Sequence, residues 1–332
     1  MTLLIGEFKL KNKIAIIGAG QLGSRHLQGL AALNREVEIY LVDPSEASLN
    51  LSLERHKQVD TKNLQQVHLL KSIDFLPKQL DLVIIACTSD IRYEALASLS
   101  NHSQVENIIL EKVLFQDLKH YADVFQIQNL NFDKVWVNFA QRLWPFFIDL
   151  KKQFFDDANL EINISGSNWG LGCNSVHNVD LADFLWSRPS KTYATLDREV
   201  LPSKRPQFVE FSGEVVTQIE GGGRITQVCY ARGEAPFVIT VTHPTLKRIW
   251  DVSNGILLSS SATTGWKFEQ SELIPSYQSN LTTRVAESIL TGRDCGLPKL
   301  KDACLTHVST LEALLVSSKK NGNDFGTSCP VT

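Results

Sequence analysis

Short runs of apolar residues alternate with helix-compatible stretches along the first part of the chain. The apolar runs, predicted as strands, lie at residues 14–17, 37–42, 80–87, 107–110 and 135–139. The stretches between them predict helices that end near residue 33, begin at Ser45, and cover 91–99 and 117–129. Residues 80–87 are apolar almost throughout, as expected for a strand covered on both faces. This alternation predicts a parallel sheet with crossover helices.

From about residue 160 the pattern changes to strands in which apolar and polar residues alternate. We predict these strands at 160–165, 208–211, 215–220, 224–231, 237–242 and 249–258. The triplet Gly221-Gly222-Gly223 joins two of them as a hairpin. Helices are predicted at 175–186, 278–291 and 301–319, and the Pro-, Ser-, Arg- and Lys-rich residues 187–206 are predicted to form a loop. The second pattern predicts an α+β domain with a largely antiparallel sheet.

Three glycines follow the first apolar run directly, where residues 18–23 read Gly-Ala-Gly-Gln-Leu-Gly. Between a strand and a helix, the first glycine permits a tight turn and the second lets the backbone approach a diphosphate. The third lets the helix lie close to the strand. The residues expected to bind a nicotinamide dinucleotide here are Gly18, Ala19, Gly20, Gln21, Leu22 and Gly23.

An acidic residue completes this fingerprint, because Asp43 ends the second predicted strand 20 residues after Gly23. A carboxylate at that place accepts hydrogen bonds from the ribose hydroxyls of the adenosine. Its negative charge, with no arginine in Pro44-Ser45-Glu46, favours NAD over NADP, although a lysine or arginine from elsewhere in the chain would permit NADP.

The two patterns together predict two domains. Residues 1–130 are expected to form a dinucleotide-binding domain of the Rossmann type, with a doubly wound parallel sheet. Residues 131–332 are expected to form an α+β domain that binds the substrate and joins copies of the chain. The length of 332 residues suffices for two domains of ordinary size.

Composition narrows the classes of partner. A net charge of −3 argues against a nucleic-acid partner, which normally requires a basic face. No run reaches the roughly 18 apolar residues of a membrane span. Residues 1–13 lack the features of a secretory signal, and the six cysteines show no CxxC spacing. We therefore expect reduced thiols in a cytoplasmic protein. The eight histidines show no paired spacing, so no metal site is predicted.

Two single residues are candidates for catalysis. Lys112 follows a predicted parallel strand, at the sheet edge where ligands bind in such folds. Alternatively, Lys112 and the adjacent Glu111 form a solvated charged pair at the end of the strand, with no catalytic role. His177 opens an amphipathic segment, where it fits either an acid/base group or a structural histidine, because the apolar residues that follow mix two spacings.

Five motifs, in order along most of the chain, resemble the glucose–fructose oxidoreductase / inositol dehydrogenase family (Gfo/Idh/MocA). They are the segment Gly18–His26, Ala86–Ala95 with Thr88 and Arg92 at the family's proline and histidine, Glu111-Lys112-Val113, Asn138-x-x-x-Arg142-x-x-Pro145, and Val176-His177-x-x-Asp180. The resemblance departs from the family pattern at Cys173, where an aspartate is common, at Ser175, where a glycine is usual, and at Val113, where a proline is usual.

The resemblance implies roles for particular residues. Lys112 would lie beside the nicotinamide and hold or protonate the reacting oxygen, and His177 would be an acid/base group on the substrate side. Cys87, Thr88, Glu111 and Lys112 would contact the cofactor. The residues expected at the substrate are Lys112, Arg142, Cys173, Asn174, His177 and Asp180. Asn138 and Arg142 would shape the junction between the domains, and Trp144 and Trp169 could face a sugar.

The leading interpretation is an NAD(P)-dependent oxidoreductase that transfers hydride between the cofactor and a secondary hydroxyl or keto group. The family resemblance implies that the substrate is a sugar, a sugar derivative or a cyclic polyol. One alternative is a redox-neutral sugar isomerase or hydrolase that recycles a bound NAD, and another is a non-catalytic dinucleotide sensor. Apolar positions in strands 208–242 predict a homodimer or homotetramer joined through the second sheet, the mode that the family commonly uses.

Overall fold

The structure is a computed structural model that describes residues 11–59 and 65–332. The strands of its first part are β1 (Asn12–Ile17), β2 (Val37–Val42), β3 (Gln65–Leu70), β4 (Gln79–Leu80), β5 (Leu82–Ile85), β6 (Gln104–Val105), β7 (Ile108–Leu110) and β8 (Val135–Val137). The helices of this part are α1 (Gln21–Ala31), α2 (Glu46–Lys57), α3 (Arg92–His102) and the short α4 (His120–Asp123).

Six of these strands form a parallel sheet in the order β3-β2-β1-β5-β7-β8. The first strand lies in the middle, where Ile14 is in register with Ile39 of β2 and Leu82 of β5. All four residues of β5 are buried, as the continuous apolar run predicts. The doubly wound parallel sheet predicted for this region is confirmed.

The second part contains β9 (Glu161–Ser167), β10 (Ser190–Leu196), β11 (Leu201–Pro202), β12 (Val209–Glu210), β13 (Gly213–Ile219), β14 (Arg224–Tyr230), β15 (Val238–His243), β16 (Leu246–Asp251), β17 (Ile256–Ser261) and β18 (Glu269–Glu272). Its helices are α5 (Pro145–Phe154), α6 (Leu171–Leu185), α7 (Gln278–Leu290) and α8 (Leu300–Lys320).

Eight of these strands form a second sheet in the order β10-β13-β14-β9-β15-β16-β17-β18. Every pairing in it is antiparallel except that of β14 with β9, so the predicted largely antiparallel sheet is confirmed. The side chains of one face pack with α5 and α6 in a common core that includes Ile162, Ile239 and Leu181. The opposite face carries alternate residues such as Val216 and Ile249, which are half-buried.

Three predictions of secondary structure are wrong. Residues 187–206 are not a loop, because β10 occupies 190–196 as the edge strand of the second sheet. The strand predicted at 249–258 is two strands, β16 and β17, joined by a turn in which Gly255 has a φ of +70°. The helix predicted at 117–129 is limited to α4 and a 3-10 turn at 124–126.

The two parts of the chain are in close contact. Helix α7 packs on α1, where a Cβ added to Gly29 would lie 2.4 Å from the carbonyl oxygen of Ser279. The segment 327–332 returns to the first part, where Ser89 Oγ donates to the carbonyl of Val331 at 2.6 Å. These contacts hold the second part against the edge of the parallel sheet that carries the glycine-rich turn. The division between residues 130 and 131 stays a prediction.

Within the described ranges, no helix is long and apolar enough to cross a bilayer. The expectation about a secretory signal concerns mainly residues 1–10, which lie outside the described residues.

Candidate active site

The glycine-rich turn between β1 and α1 has the space that a diphosphate requires. Gly18 has a φ of +100°, and a Cβ there would lie 2.6 Å from the backbone nitrogen of Cys87. A Cβ on Gly23 would lie 1.8 Å from the carbonyl oxygen of Gly18, so this residue sets the close packing of α1. A Cβ on Gly20 would meet nothing within 4 Å, and no side chain caps the helix there. The turn therefore fits an anion at the helix N-terminus.

Asp43 lies at the end of β2 and is fixed against this turn. Its Oδ2 accepts a hydrogen bond from the N–H of Ala19 at 2.7 Å, and its Oδ1 accepts one from the N–H of Ser45 at 2.8 Å. The carboxylate and the turn face a shared cavity of about 750 Å³. A carboxylate held at this place is suited to binding ribose hydroxyls.

The predicted cofactor residues are placed as follows. Gly18, Ala19, Gly20, Gln21, Asp43, Cys87 and Thr88 line the cavity. Leu22 and Gly23 lie in the first turn of α1 without lining it, and Glu111 and Lys112 lie away from it on the loop after β7. Arg55 and Lys71, two cations that the sequence did not single out, line the same cavity.

Lys112 reaches from the first part of the chain to the second. Its Nζ donates to the carbonyl oxygen of Cys173 at 3.0 Å and to Oδ1 of Asn174 at 2.8 Å. Asn174 is held in turn, because its Nδ2 donates to the carbonyl oxygen of Trp169 at 2.8 Å. The structure thus brings three of the predicted substrate residues together at the start of α6.

His177 lies one turn further along α6. Its ring is edge-on to Phe139, with centroids 5.8 Å apart, and its Nδ1 has no hydrogen-bond partner among the described residues. Removal from water, with a smaller effect of the Lys112 ammonium, holds the pKa of His177 well below its usual range. The imidazole is therefore neutral at neutral pH.

Cys173 stands where the family pattern has an aspartate. Burial raises the pKa of its thiol to about 12, so the side chain is a neutral thiol. The carboxylate found beside it comes from β12, where Oε2 of Glu210 accepts from the Cys173 N–H at 3.2 Å. Sequence reasoning missed Glu210, because nothing in the local pattern of residues 201–210 indicates that this hairpin meets α6.

Arg142 forms a buried ion pair with Asp180, which lies on α6 one turn beyond His177 in sequence. Arg142 Nε donates to Oδ2 of Asp180 at 2.7 Å, and its Nη2 donates to Oδ1 at 2.5 Å. Burial raises the pKa of Asp180 to about 7, against the opposing effect of the guanidinium. The pair ties the 3-10 turn Ala140–Leu143 to α6, which suits the predicted role of Arg142 at the junction.

Glu111 is buried beneath the Lys112 loop. Its Oε1 lies 2.8 Å from Nε2 of His26 and accepts from Nδ2 of Asn138 at 2.5 Å, while Nδ1 of His26 lies 2.9 Å from Thr282 Oγ1. Burial would raise the pKa of this carboxyl, but His26 and Asn138 hold it at about 2. The network joins α1, β8 and α7 to the residue before Lys112.

Arg92, a second residue missed as a site residue, connects the two loops at the sheet edge. It is 2% exposed and donates to the carbonyl oxygens of Cys87, Val113 and Leu114. The family pattern has a histidine at this position, and that difference could have drawn attention to Arg92. Arg92 fixes the loop of Lys112 relative to the loop that lines the cofactor cavity.

The two tryptophans differ in placement. Trp169 is half-buried next to α6, and its Nε1 donates to the carbonyl oxygen of Val228 at 2.9 Å. Trp144 packs against Trp250, with ring centroids 5.4 Å apart. Over residues 11–59 and 65–332, no group of three or more His, Cys, Asp or Glu side chains could hold a metal ion.

Residues 12–139 match the model of the GFO_IDH_MocA family, described as an oxidoreductase family with an NAD-binding Rossmann fold. This match confirms the resemblance seen in the sequence motifs, and it supports a nicotinamide dinucleotide as the cofactor. A comparison with curated proteins finds no match.

Solved structures share the fold over nearly the whole chain. An oxidoreductase from Agrobacterium radiobacter, in complex with NAD+, L-tartaric acid and magnesium, has a TM-score of 0.71 and 14% identity, covering 93% of this chain and 96% of that one. The UDP-N-acetylglucosamine 3-dehydrogenase from Acidithiobacillus ferrooxidans has a TM-score of 0.65 and 14% identity, with coverages of 93% and 98%. A 3-ketoreductase from Actinomadura kijaniata, in complex with TDP-benzene and NADP, has a TM-score of 0.65 and 11% identity, with coverages of 91% and 96%.

Proposed function

We propose that this oxidoreductase transfers hydride between a nicotinamide dinucleotide and a secondary hydroxyl or keto group of a sugar, a sugar derivative or a cyclic polyol. The observation that carries the proposal is the position of Lys112. Its ammonium lies at the start of α6, hydrogen-bonded to Cys173 and Asn174, on the loop that Arg92 ties to the cofactor cavity.

Two side chains are candidates for the proton transfer in this proposal. The nicotinamide supplies the hydride chemistry when it is bound. In the reduction of a carbonyl, the Lys112 ammonium hydrogen-bonds the reacting oxygen and transfers one proton to it as hydride adds to the carbon; in the reverse direction the Lys112 amine takes that proton from the hydroxyl group. His177, whose Nδ1 has no hydrogen-bond partner among the described residues, is the second candidate for carrying that same proton on the substrate side, and its lowered pKa makes it the weaker base of the two.

The substrate class rests on the family motifs and on two of the similar structures. These are described as a UDP-N-acetylglucosamine 3-dehydrogenase and a 3-ketoreductase in complex with a TDP compound. Around Lys112, the amide of Asn174 supplies a polar group of the kind that binds sugar hydroxyls, since its Nδ2 has two N–H groups and donates one of them to the carbonyl oxygen of Trp169.

A substrate panel tests the proposal. The purified protein is incubated with NAD or NADP and with sugars, nucleotide sugars and cyclic polyols, and nicotinamide absorbance is followed, with Lys112→Ala as the control. With the parent protein, we expect at least one compound to cause net reduction of NAD or NADP. With Lys112→Ala, we expect this activity to be lost. Product formation without net reduction, with cofactor copurifying, would favour the redox-neutral alternative. Cofactor binding with turnover of no compound would favour the sensor.

The preference for NAD is a further proposal that Asp43 supports. The Asp43 carboxylate would repel the 2′-phosphate of NADP. Arg55 and Lys71, which line the same cavity, would attract that phosphate. Both cations already have partners within the chain, because Arg55 donates to Gln21 Oε1 at 2.9 Å and Lys71 Nζ lies 3.1 Å from Oε2 of Glu46.

Replacement of Asp43 measures this preference. Asp43→Ala is expected to reduce the ratio of the Kd for NADPH to that for NADH by about tenfold, because it removes the repulsion and the ribose contact together. Fluorescence titration with both cofactors checks it, and the exposed Asp74→Ala in the same cavity is the control. Binding of NADPH at least tenfold tighter than NADH by the parent protein would contradict the preference.

The open face of the second sheet supports a proposal about assembly. A continuous row crosses it from strand to strand, formed by Tyr193, Val216, Thr226, Asn163, Thr240, Ile249 and Leu258. Several of these side chains are apolar and are half-buried or exposed in the single chain. A homodimer or homotetramer joined through this face would cover them.

A further inference from the structure

A small hairpin made of β11 and β12 carries an arginine whose guanidinium has no partner among the described residues. Arg205 lies in the loop between the two strands, where its N–H donates to Oγ of Ser203 at 3.4 Å and its carbonyl accepts from Phe208 at 3.0 Å. Its side chain is half-buried and lines the dinucleotide cavity. Every other described residue that lines this cavity falls within 17–98.

The charges around Arg205 leave it without a counterion. Arg92 lies near it, and the pKa of Arg92 is lowered mainly by burial and to a smaller extent by the charge of Arg205. The two carboxylates of the cavity already have partners, because Asp43 accepts from backbone N–H groups and Asp74 accepts from Ser72 Oγ at 2.8 Å. An unpaired guanidinium in a cavity favours an anionic ligand.

The hairpin is held in place against the cofactor loop. The N–H of Val209 in β12 donates to the carbonyl of Pro330 at 2.9 Å, and the next carbonyl, that of Val331, accepts from Oγ of Ser89. Ser89 directly follows Cys87 and Thr88, which line the cavity. Arg205 is therefore positioned over the cavity by contacts that involve both parts of the chain.

We propose that Arg205 binds the diphosphate of the nicotinamide dinucleotide, opposite the glycine-rich turn. The diphosphate carries the anionic charge of the ligand, and a guanidinium donates strong, charge-assisted hydrogen bonds to phosphate oxygens. The second part of the chain thereby supplies a phosphate ligand to a site otherwise built from the first. This inference rests on the cofactor of the proposed function.

Direct binding measurements test it without reference to turnover. We compare the parent protein with Arg205→Gln, Arg205→Lys and the control Lys204→Gln, an exposed cation next in sequence that does not line the cavity. The Kd is measured by calorimetry for NADH, ADP and adenosine, with circular dichroism as the check on folding. Arg205→Gln is expected to weaken NADH and ADP about tenfold, and Arg205→Lys to weaken them less. Adenosine binding and the Lys204→Gln variant are expected to be unchanged.

The outcomes separate the two proposals. If the parent protein binds NADH and Arg205→Gln binds it within about twofold of the parent, the role of Arg205 is refuted while the proposed function stands. Equal weakening of adenosine would also refute it, because stacking on the base would then explain the loss. If the parent protein binds neither NADH nor NADPH, the cofactor assignment and this inference fail together.

Discussion

At the scale of single residues, Lys112 connects the two halves of the candidate site. Its ammonium donates to the Cys173 carbonyl and to the Asn174 amide, so it is held by neutral groups instead of a carboxylate. A neutral anchor leaves the positive charge of the lysine free to stabilise negative charge on a reacting oxygen. Asn174 is thus a neutral hydrogen-bond acceptor for Lys112.

This arrangement predicts the effect of replacing Lys112. Lys112→Ala is expected to lower kcat by roughly 10²–10⁴-fold, the usual cost of losing a positioned acid/base group, with little change in the Kd for NADH. Stopped-flow kinetics and fluorescence titration check the two quantities, and the exposed Lys152→Ala is the control. Turnover like that of the parent protein, on a substrate that the parent oxidises, would rule out this role of Lys112.

Two companion variants refine this prediction. His177→Gln is expected to cost less than Lys112→Ala if the lysine is the principal proton donor, and more if the imidazole carries the proton transfer. Cys173→Asp would place a carboxylate near Lys112 and next to Glu210, where an unpaired buried charge is costly. A rise in kcat with Cys173→Asp would show that the site still accommodates the family's acid.

Local motifs predict the residue types of the site but not their partners. Gly18, Gly23 and Asp43 could be interpreted from sequence because each meets a steric or charge requirement set by neighbours in the same βαβ unit. The partner of Lys112 could not be predicted, since it depends on where α6 meets the first domain. For the same reason, nothing local shows that Arg92 would bind three carbonyl groups from two loops.

At the scale of elements, the site depends on loops that buried polar groups hold in position. Glu111 lies between α1 and β8, bonded to His26 and Asn138, and precedes Lys112 by one residue. Its carboxylate is removed from water, so its ionised form is stable only while both partners remain in place. The network thus couples the position of the Lys112 loop to the packing of α1 and α7.

The low pKa of Glu111 gives a testable pH dependence. The pKa is about 2 in the folded protein against an ordinary value of 4.5, so the folded state favours the ionised carboxylate. Its contribution to stability is present above pH 4.5 and is lost as the pH falls from 4.5 towards 2. Integrated over that interval, the shift corresponds to roughly 3 kcal/mol.

Glu111→Gln is therefore expected to flatten the loss of stability between these pH values and to lower the free energy of unfolding at neutral pH. Urea denaturation at a series of pH values measures both effects. The exposed Glu106→Gln is the matched control and should follow the parent protein. An unaltered slope with Glu111→Gln would show that other carboxylates determine the acid sensitivity.

Periodicity predicted the central strands and the long helices, because burial on a defined face leaves a regular pattern. It failed at β10, because the two faces of this edge strand differ little in polarity. The residues on its exposed face are Lys191, Tyr193 and Thr195, and those between them are Thr192 and Ala194. It also merged β16 with β17, although the Asn254-Gly255 pair between them is a typical hairpin turn. Edge strands and tight turns depend on partners that a local window does not include.

At the scale of the whole molecule, the second sheet has two unlike faces. One is buried beneath α5 and α6, whereas the other presents a row of half-buried and exposed residues that runs from Tyr193 to Leu258. Antiparallel sheets with one open face are common, but their open faces are usually polar. Here Val216 and Ile249 interrupt the threonines and asparagine of that row, and the proposed assembly would cover them.

A charge placed on this face tests the proposed assembly. Ile249→Glu is expected to shift the protein from a dimer or tetramer to a monomer at micromolar concentration, because it places an unpaired carboxylate in a desolvated interface. Light scattering coupled to size exclusion gives the mass, and NADH binding by the same variant reports whether the first domain stays folded. Phe75→Glu, at an exposed apolar residue outside the second sheet, is the control and should leave the mass unchanged. A parent protein that is monomeric under these conditions would refute the assembly. An Ile249→Glu variant that remains oligomeric would place the interface elsewhere on the molecule.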